Sequence, residues 1–309
     1  MPTLDRITIY PVKSLDGVSV DEASVLPAGG LEHDRRWQLT DMDGRVFNAK
    51  RSPVFHAIRA EFDLADPAAA GDVPRAAANL VTLAVDPEAI RAAEIPGMRR
   101  LADLAAETFP LVPGPDGPCG WLSAAFGEPV LLVERRDGGF PDDREAAGPT
   151  LVSTASLEEV GRWFGLGLDE VRRRFRANLE IGGCDAFWED SLASPARPEL
   201  QPSLLDLPPD VAVDPYADLP PPEPREFSIG EVRFRAVNVC RRCPVPARDS
   251  RTGAVTPHFR DAFEARRRRG LRPDVDAGAW DTLYRLGVNT AVAGPGGVVV
   301  RFETIGEPS

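Results

Sequence analysis

Apolar and polar residues alternate in short runs through about the first sixty positions of the chain. The runs are ITIYPV, VSVDEASVL, RRWQLTD and RVFNA, and segments rich in Gly, Asp and Pro separate them. A period of two is typical of half-buried strands, and the Asp-Met-Asp-Gly segment at 41–44 indicates a hairpin between two such runs. The pattern predicts a small β-barrel or curled sheet at the N-terminus.

The remainder of the chain mixes helical and strand-like patterns. Residues 64–117 are weakly patterned and rich in Ala, Pro, Asp and Gly, which suits a peripheral stretch. Helices are predicted at WLSAAFG, SLEEVGRWFG, DEVRRRFR and HFRDAFEARRRR. Strands are predicted at PVLLVER, ANLEIGG, EVRFRAVNV, GVNTAVAG and GVVVRFETIG. Ser156 is the expected N-cap of SLEEVGRWFG, and Glu159 would complete its capping box.

These patterns predict a mixed α/β (α+β) fold that is rich in β-structure. The length of 309 residues suggests two domains, which we expect at about 1–117 and 118–309. The segment 195–225 is too rich in proline for regular structure throughout, so we expect a surface loop or insertion there.

The charge of the chain restricts its partners. The formal net charge is −12, from 36 Lys and Arg and 48 Asp and Glu. Nucleic-acid binding depends on neutralising phosphates with cations, so nucleic acid is not an expected partner. No segment approaches the roughly 18 consecutive apolar residues of a spanning helix, so we expect no membrane association and a cytoplasmic protein. Four cysteines in a chain of this length do not form a disulfide framework, which fits a reducing compartment.

The basic residues are unevenly distributed. Lysine occurs only at Lys13 and Lys50, and every other basic residue is arginine. Since the two cations are not interchangeable at anion sites, the lysines suggest positions that need a compact charge; chance is the alternative. The run Arg266 to Arg269 precedes Gly270 and is interpreted as a solvated helix end. The alternative interpretation is a docking patch for an acidic partner.

The segment from Cys240 to Pro244, with the sequence CRRCP, follows the predicted strand EVRFRAVNV. A C-x-x-C sequence has three ordinary interpretations: half of a zinc site, a redox pair, or two structural cysteines. Zinc needs a second pair of ligands, and Cys119 and Cys184 are isolated in the sequence. Two adjacent arginines favour a thiolate, which suits a thiophilic transition metal. One cysteine suffices where an organic cofactor supplies further ligands, as in molybdenum bound to a pterin dithiolene.

The segment CRRCPVPARDSRTG resembles the cysteine motif of the MOSC domain, and further segments agree in the same order. IYPVKSLDGVSVDEA and LEHDRRWQLTD resemble the N-terminal β-barrel domain that accompanies MOSC in the mitochondrial amidoxime-reducing components and their bacterial relatives. PTLVSTASL, RRFRANLEIGGCDAFWEDS and GVNTAVAGPGGVVVRF resemble later parts of the same proteins. The resemblance covers most of the chain, except about 62–117 and 192–225. It implies an N-terminal β-barrel domain followed by a MOSC β-barrel domain with flanking helices.

The resemblance also implies a set of site residues. It makes Cys243 the catalytic residue and the molybdenum ligand, whereas Cys240 is not a ligand. The positions that match contacts to a molybdopterin-type molybdenum cofactor are Lys13, Ser14, Arg35, Arg176, Asn178, Arg241, Arg242 and Cys243. Arg241 replaces a serine of the eukaryotic relatives, and Ala147-Gly148 replaces their Thr-Ser pair, so part of the cofactor shell is expected to be rearranged. Taken singly, each residue has an ordinary alternative as a surface, turn or strand-edge residue.

The implied reaction is the molybdenum-dependent reduction of small N-hydroxylated compounds. The electrons would come from a separate donor protein of the ferredoxin, haem or flavin reductase type, because no cysteine follows Cys243 to hold an iron–sulfur centre. One alternative is a molybdenum-cofactor or sulfur carrier without reductase activity, independent of pyridoxal phosphate. Another is a binding module whose cysteine motif is structural.

Overall fold

The computed structural model describes residues 1–65, 79–92, 98–143, 145–194, 223–278 and 280–306. The fold is mixed α/β and rich in strands, which confirms the predicted class. Most of the proline-rich segment 195–225 lies outside the described residues. Within the described residues, no helix is long and apolar enough to cross a membrane.

Most strands coincide with the alternating runs of the sequence. They are β1 (Thr3–Ile9), β2 (Val18–Val20), β3 (Glu22–Val25), β4 (Trp37–Thr40), β5 (Val46–Phe47), β6 (Ile58–Asp63), β7 (Leu80–Val85), β8 (Glu107–Pro110), β9 (Leu131–Glu134), β10 (Leu151–Ser153), β11 (Leu179–Gly182), β12 (Glu226–Ile229), β13 (Val232–Arg241), β14 (Arg285–Val292), β15 (Gly297–Val300) and β16 (Ile305–Gly306).

The four predicted helices form, together with shorter ones. The α-helices are α1 (Pro87–Ala92), α2 (Cys119–Phe126), α3 (Thr154–Phe164), α4 (Leu168–Phe175), α5 (Asp190–Ala193) and α6 (Phe259–Arg269). Short 3₁₀ helices cover Pro53–Ala57, Met98–Asp103 and Val245–Ala247.

An eight-stranded sheet draws strands from both halves of the chain, in the order β16-β12-β13-β14-β10-β11-β1-β2. β1 lies antiparallel to β11, with Ile7 opposite Leu179, and β10 lies parallel to β11. β13 and β14 are antiparallel, with Val239 opposite Val288. The pairing of β1 with β11 crosses the proposed boundary between residues 117 and 118. The division into two domains stays a prediction.

The described residues also form smaller sheets, in the orders β5-β4-β9, β6-β7-β8 and β15-β3. β4 and β5 form the predicted hairpin, in which Asp41 Oδ1 accepts hydrogen bonds from the N–H groups of Asp43 and Arg45. The expectation of a merely peripheral stretch at 64–117 is wrong where β7, α1 and β8 form. Val81 and Leu83 of β7 are buried in the core, although the surrounding sequence is poorly patterned.

Buried side chains flank each turn that carries a predicted site residue. Val12 and Leu15 enclose the turn at 13–14 and belong to the cluster formed by the β5-β4-β9 and β6-β7-β8 sheets. Val239 of β13 belongs to the cluster of the eight-stranded sheet. Phe175, the last residue of α4, packs in a third cluster beneath α3, α4 and α6. Because burial of apolar surface is the main stabilising term in folding, these neighbours fix the turns relative to one another.

Helix α3 begins three residues earlier than the sequence suggests. Ser153 is the N-cap, and its Oγ accepts a hydrogen bond from the N–H of Ser156 at 3.1 Å. The prediction of Ser156 as the N-cap is therefore wrong. The Ser156 hydroxyl instead donates to Glu189 Oε2 at 3.0 Å, and Glu159 accepts a hydrogen bond from Trp163 Nε1. The three-residue error arises because both serines precede the same apolar pattern.

The interpretation of the run Arg266 to Arg269 as a wholly solvated helix end is also wrong. Arg267 is fully buried, forms an ion pair with Asp190, and lies over the ring of Phe187. Glu189 is fully buried beside this pair, and its Oε1 has no hydrogen-bond partner among the described residues. Burial, reinforced by the negative charge of Asp190, raises the pKa of Glu189 to about 7.

We predict that Glu189 makes the stability of the protein depend on pH. A carboxyl group with a raised pKa in the folded state contributes stability below its ordinary pKa, and that contribution is lost as the pH rises through about 7. The Glu189→Gln variant should therefore gain stability relative to wild type between pH 5 and pH 8, by about 1.4 kcal/mol for each pKa unit of the shift. Urea unfolding at both pH values measures the difference. Glu158→Gln, at an exposed position of α3, is the control. A Glu189→Gln difference that is the same at both pH values would contradict the prediction.

Candidate functional site

A cavity of about 460 Å³ lies where several separate parts of the chain meet. Its wall includes the turn after β1, the loop before β4, the C-terminal end of α4 and the segment that follows β13. Of the predicted site residues, the cavity is lined by Lys13, Ser14, Arg35, Arg176, Arg241, Arg242 and Cys243. Cys240 also lines it, whereas Asn178 does not.

The turn after β1 holds Lys13 and Ser14 at the cavity wall. The Lys13 N–H donates to the carbonyl of Trp37 at 2.8 Å, and Ser14 takes a left-handed conformation with a φ of 75°. Ser14 Oγ accepts a hydrogen bond from the N–H of Ala49 at 3.2 Å. Lys13 Nζ forms an ion pair with Asp142 Oδ1 at 2.8 Å. The turn therefore presents an ammonium and a hydroxyl to the same space.

Arg35 is held in place by carboxylate and amide groups. Its Nη1 pairs with Asp34 and donates to Asn178 Oδ1 at 3.1 Å, while its Nε lies 3.7 Å from Asp142 Oδ2. Burial opposes the charge of Arg35, but the carboxylates of Asp34 and Asp142 outweigh it and raise the pKa of Arg35. Arg35 therefore remains a cation at the cavity wall.

Asn178 supports the site from behind the wall. Its Oδ1 accepts from Arg35 and from the N–H of Thr150, and its Nδ2 donates to the carbonyl of Thr8 and to Asp34 Oδ1. An amide has two donor and two acceptor positions, and all four are used. The role of Asn178 as a direct cofactor contact stays a prediction. Its observed contacts are those of a residue that positions Arg35 and the start of β10.

Arg176 ends helix α4 and has no carboxylate partner among the described residues. It takes a left-handed conformation with a φ of 55°, and its N–H caps the helix by donating to the carbonyl of Arg172. Its guanidinium lies over the ring of Tyr10, 4.1 Å from the centroid. Burial lowers the pKa of Arg176, and the carboxylates of Asp16 and Asp142, which do not form ion pairs with it, offset this only in part. An anion that entered the cavity would relieve this cost.

The cysteine motif lies where β13 leaves the sheet. Cys240 and Cys243 are half-buried free thiols that both line the cavity. The arginines between them point to different partners. Arg241 forms an ion pair with Asp281 at 2.7 Å, whereas the Arg242 guanidinium donates to the carbonyls of Leu286 and Phe175. Arg242 thus ties the segment that carries Cys243 to β14 and to the end of α4.

Asp249, Thr252 and Gly253, which follow the cysteines, shape the loop and do not line the cavity. Asp249 Oδ1 accepts hydrogen bonds from the backbone of Arg251 and Thr252 and from the Thr252 hydroxyl, at 2.8 to 3.1 Å. Gly253 closes the turn with a φ of 70° and donates to the carbonyl of Asp249. This turn sets the direction in which the chain leaves the cysteine motif.

The cavity wall is strongly cationic although the chain is acidic. Among the described residues that line the cavity, the ten cations are Lys13, Arg35, Lys50, Arg59, Arg173, Arg174, Arg176, Arg241, Arg242 and Arg248. The four acids there are Asp16, Asp34, Asp142 and Asp143. Both lysines of the chain are included, as their selective retention suggested. Such a concentration of one charge focuses the electrostatic potential on an anionic ligand.

The sequence did not predict several of the residues that line the cavity. Arg248 donates to the carbonyl of Ala49 at 2.8 Å, and His56 has a buried Nε2 without a hydrogen-bond partner among the described residues. Burial and the charges of Arg248, Arg176 and Arg59 lower the pKa of His56 to about 4, so the imidazole is neutral near pH 7. The lysine bias pointed to Lys50, but no sequence signal distinguishes His56 or Arg59 from ordinary residues.

The other cysteines lie away from the cavity wall. Cys119 is buried in α2 and accepts a hydrogen bond from the N–H of Leu132, contacts that are typical of a structural cysteine. Cys184 is half-buried, and burial raises the pKa of its thiol to about 12. Among the described residues, no group of three or more His, Cys, Asp and Glu side chains is arranged to hold a metal ion.

Comparison with known proteins relates this chain to one group. Residues 1–96 match the family described as the MOSC N-terminal beta barrel domain. Molybdenum cofactor sulfurase of Drosophila erecta is 23% identical over 271 residues, a match that covers 83% of this chain. The Drosophila ananassae molybdenum cofactor sulfurase is 25% identical over 274 residues and covers the same 83%. The Oryza sativa subsp. japonica protein of that name is 26% identical over 221 residues, or 61% of this chain.

The matches cover only part of each relative. They include 29% of the two Drosophila proteins and 25% of the Oryza protein. This chain therefore corresponds to less than a third of the length of the curated relatives that it matches.

Proposed function

Because the chain carries a MOSC N-terminal beta barrel domain and is related to molybdenum cofactor sulfurases, which are MOSC-domain proteins, we propose that it binds a molybdenum cofactor and reduces N-hydroxylated compounds. Cys243 is the proposed molybdenum ligand. The observation that carries the proposal is that residues distant in the sequence, from Lys13 to Cys243, line one cavity. Their convergence is what a single ligand with a metal at one end and an anionic group elsewhere would require.

The residues that line the cavity fit a ligand of this kind. A volume of about 460 Å³ is in the usual range for cofactor sites. The guanidinium of Arg176 has no carboxylate partner among the described residues, and the buried Nε2 of His56 has no hydrogen-bond partner there. A pterin with a phosphate would offer acceptors and negative charge to both groups, while a thiol suits a thiophilic metal.

The chain would contribute binding, orientation and charge to the reaction. When bound, a molybdenum cofactor supplies a centre that accepts and passes on two electrons. Lys13, Ser14, Arg35 and Arg176 would hold the anionic and polar parts of the cofactor, and Arg242 would keep the segment of Cys243 against β14. Reduction of an N–OH group breaks the N–O bond, consumes two electrons and two protons, and releases water. The electrons would come from a separate donor protein.

The names of the relatives favour a second candidate function. These proteins are molybdenum cofactor sulfurases, so a cofactor or sulfur carrier without reductase activity is the alternative. Protein loaded with the cofactor and assayed with a chemically reduced dye and hydroxylamine-type substrates separates the two. Dye oxidation that requires the N-hydroxylated substrate favours the reductase, and molybdenum-replete protein without turnover favours the carrier.

We predict that protein purified from a host that makes the molybdenum cofactor contains molybdenum and pterin in equal amounts, close to one per chain. Lys13→Ala and Arg176→Ala should each lose most of this content, because a charge-assisted hydrogen bond to the cofactor contributes about 1.5–3 kcal/mol. Metal analysis and pterin fluorescence measure the content, and thermal unfolding checks the fold. Arg45→Ala is the control, because Arg45 is 74% exposed and pairs with the nearby Asp43. Zinc or no metal in well-folded wild-type protein would contradict the proposal. A full molybdenum content in both Lys13→Ala and Arg176→Ala would contradict the proposed contacts of these two residues with the cofactor.

We also predict that the two cysteines of the motif are not equivalent. Cys243→Ser replaces a soft sulfur with a hydroxyl that is hardly ionised at neutral pH, so reduction of N-hydroxylated compounds should be abolished. Cys240→Ser should stay within about tenfold of wild type, which corresponds to about 1.4 kcal/mol of barrier. The measurement is dye turnover normalised to pterin content. Equal losses of activity in the two variants would favour a zinc site or a redox pair, in which both sulfurs are needed.

A further inference from the structure

A carboxylate of the chain itself occupies the space between two cations of the cavity. Asp142 Oδ1 lies 2.8 Å from Lys13 Nζ, and Asp142 Oδ2 lies 3.7 Å from Arg35 Nε. The Asp142 side chain is 66% exposed, whereas those of Lys13 and Arg35 are 17% and 13% exposed. The two cations are therefore set into the wall, and the carboxylate covers them from the open side.

The loop after β9 delivers Asp142 to this position. The N–H of Phe140 donates to the carbonyl of Arg35 at 2.9 Å, and Lys13 Nζ donates to the carbonyl of Phe140 at 3.3 Å. Gly139 has a φ of 62°, and a Cβ at this position would lie 2.6 Å from the carbonyl oxygen of Asp34. Only glycine allows the loop to lie this close to Arg35, so the backbone sets the place of the carboxylate.

The Asp142 carboxyl group is ionised at neutral pH. Partial burial favours the neutral acid, but the charges of Arg35 and Lys13 outweigh it and lower the pKa of Asp142 to about 2. Arg176, on the same cavity wall, has no such partner among the described residues. A carboxylate of the chain itself thus neutralises charge at Lys13 and Arg35, whereas Arg176 forms no such pair within the described part of the chain.

We propose that Asp142 is a specificity-determining residue, which acts as a built-in competitor for the anion position at Lys13 and Arg35. A tethered carboxylate competes as if it were present at millimolar or higher concentration. A singly charged anion would replace it without electrostatic gain and is rejected. A doubly charged phosphate-type group attracts the two cations more strongly and displaces it. The inference rests on the proposed function only for the identity of the natural ligand, a phosphate-bearing cofactor.

Titration of the cofactor-free full chain with sulfate and nitrate tests this proposal. Sulfate is doubly charged and nitrate singly charged at all relevant pH values, so no protonation of the probe complicates the comparison. Isothermal titration calorimetry at constant ionic strength compares wild type with Asp142→Asn. Asp143→Asn is the matched control, because its carboxylate also lines the cavity but accepts from Asn238 Nδ2 at 3.0 Å instead of pairing with Lys13 or Arg35.

The expected result is a sulfate affinity about tenfold higher in Asp142→Asn than in wild type, with nitrate binding measurable only in that variant. Asp143→Asn should change the sulfate affinity by less than about threefold. Unchanged, weaker or absent sulfate binding in Asp142→Asn would overturn the proposal and make Asp142 a support for the two cations. An equal gain in both variants would also overturn it. Because no cofactor is present, the outcome is independent of whether the chain binds molybdenum.

Discussion

Repulsion among cations is the constraint on which the arrangement of the cavity depends. Ten Lys and Arg side chains from the described part of the chain line a cavity of about 460 Å³, and each partly buried charge needs compensation. The structure compensates them in three ways. Lys13 and Arg35 pair with carboxylates, Arg242 is bound by backbone carbonyls, and Arg176 lies over an aromatic ring. The last two leave positive charge uncancelled, so an anionic ligand is the remaining compensating group.

The site draws on segments from the whole length of the chain, which strand pairing brings together. Insertion of β1 between β2 and β11 brings the turn at 13–14 beside the end of α4, and the β13–β14 pair brings Cys243 to the same place. Glu170 of α4 reinforces this contact, because it binds Arg173, Arg174 and the Ser250 backbone beyond the cysteine motif. Strand pairing supplies the framework, and the ion pairs hold the cationic side chains within it.

Local pattern predicted most of the strands, the hairpin and the four main helices, because these depend on alternation and periodicity within short windows. It did not predict β6, β7, β8, β10 or β12. The resemblance to MOSC proteins brought Lys13, Arg35, Arg176 and Cys243 together before any geometry was known. It could not reveal Asp142, whose contacts depend on how one loop lies against another. The burial of Arg267 could not be predicted from the sequence either, because its partners come from distant segments.

X-ray absorption at the molybdenum edge tests whether the sulfur of Cys243 binds molybdenum. Spectra of cofactor-loaded wild type, Cys243→Ser and Cys240→Ser would be compared for the number of sulfur atoms bound to the metal. We expect one sulfur fewer in Cys243→Ser and an unchanged number in Cys240→Ser. An unchanged sulfur number in Cys243→Ser, or a loss in Cys240→Ser, would contradict this expectation.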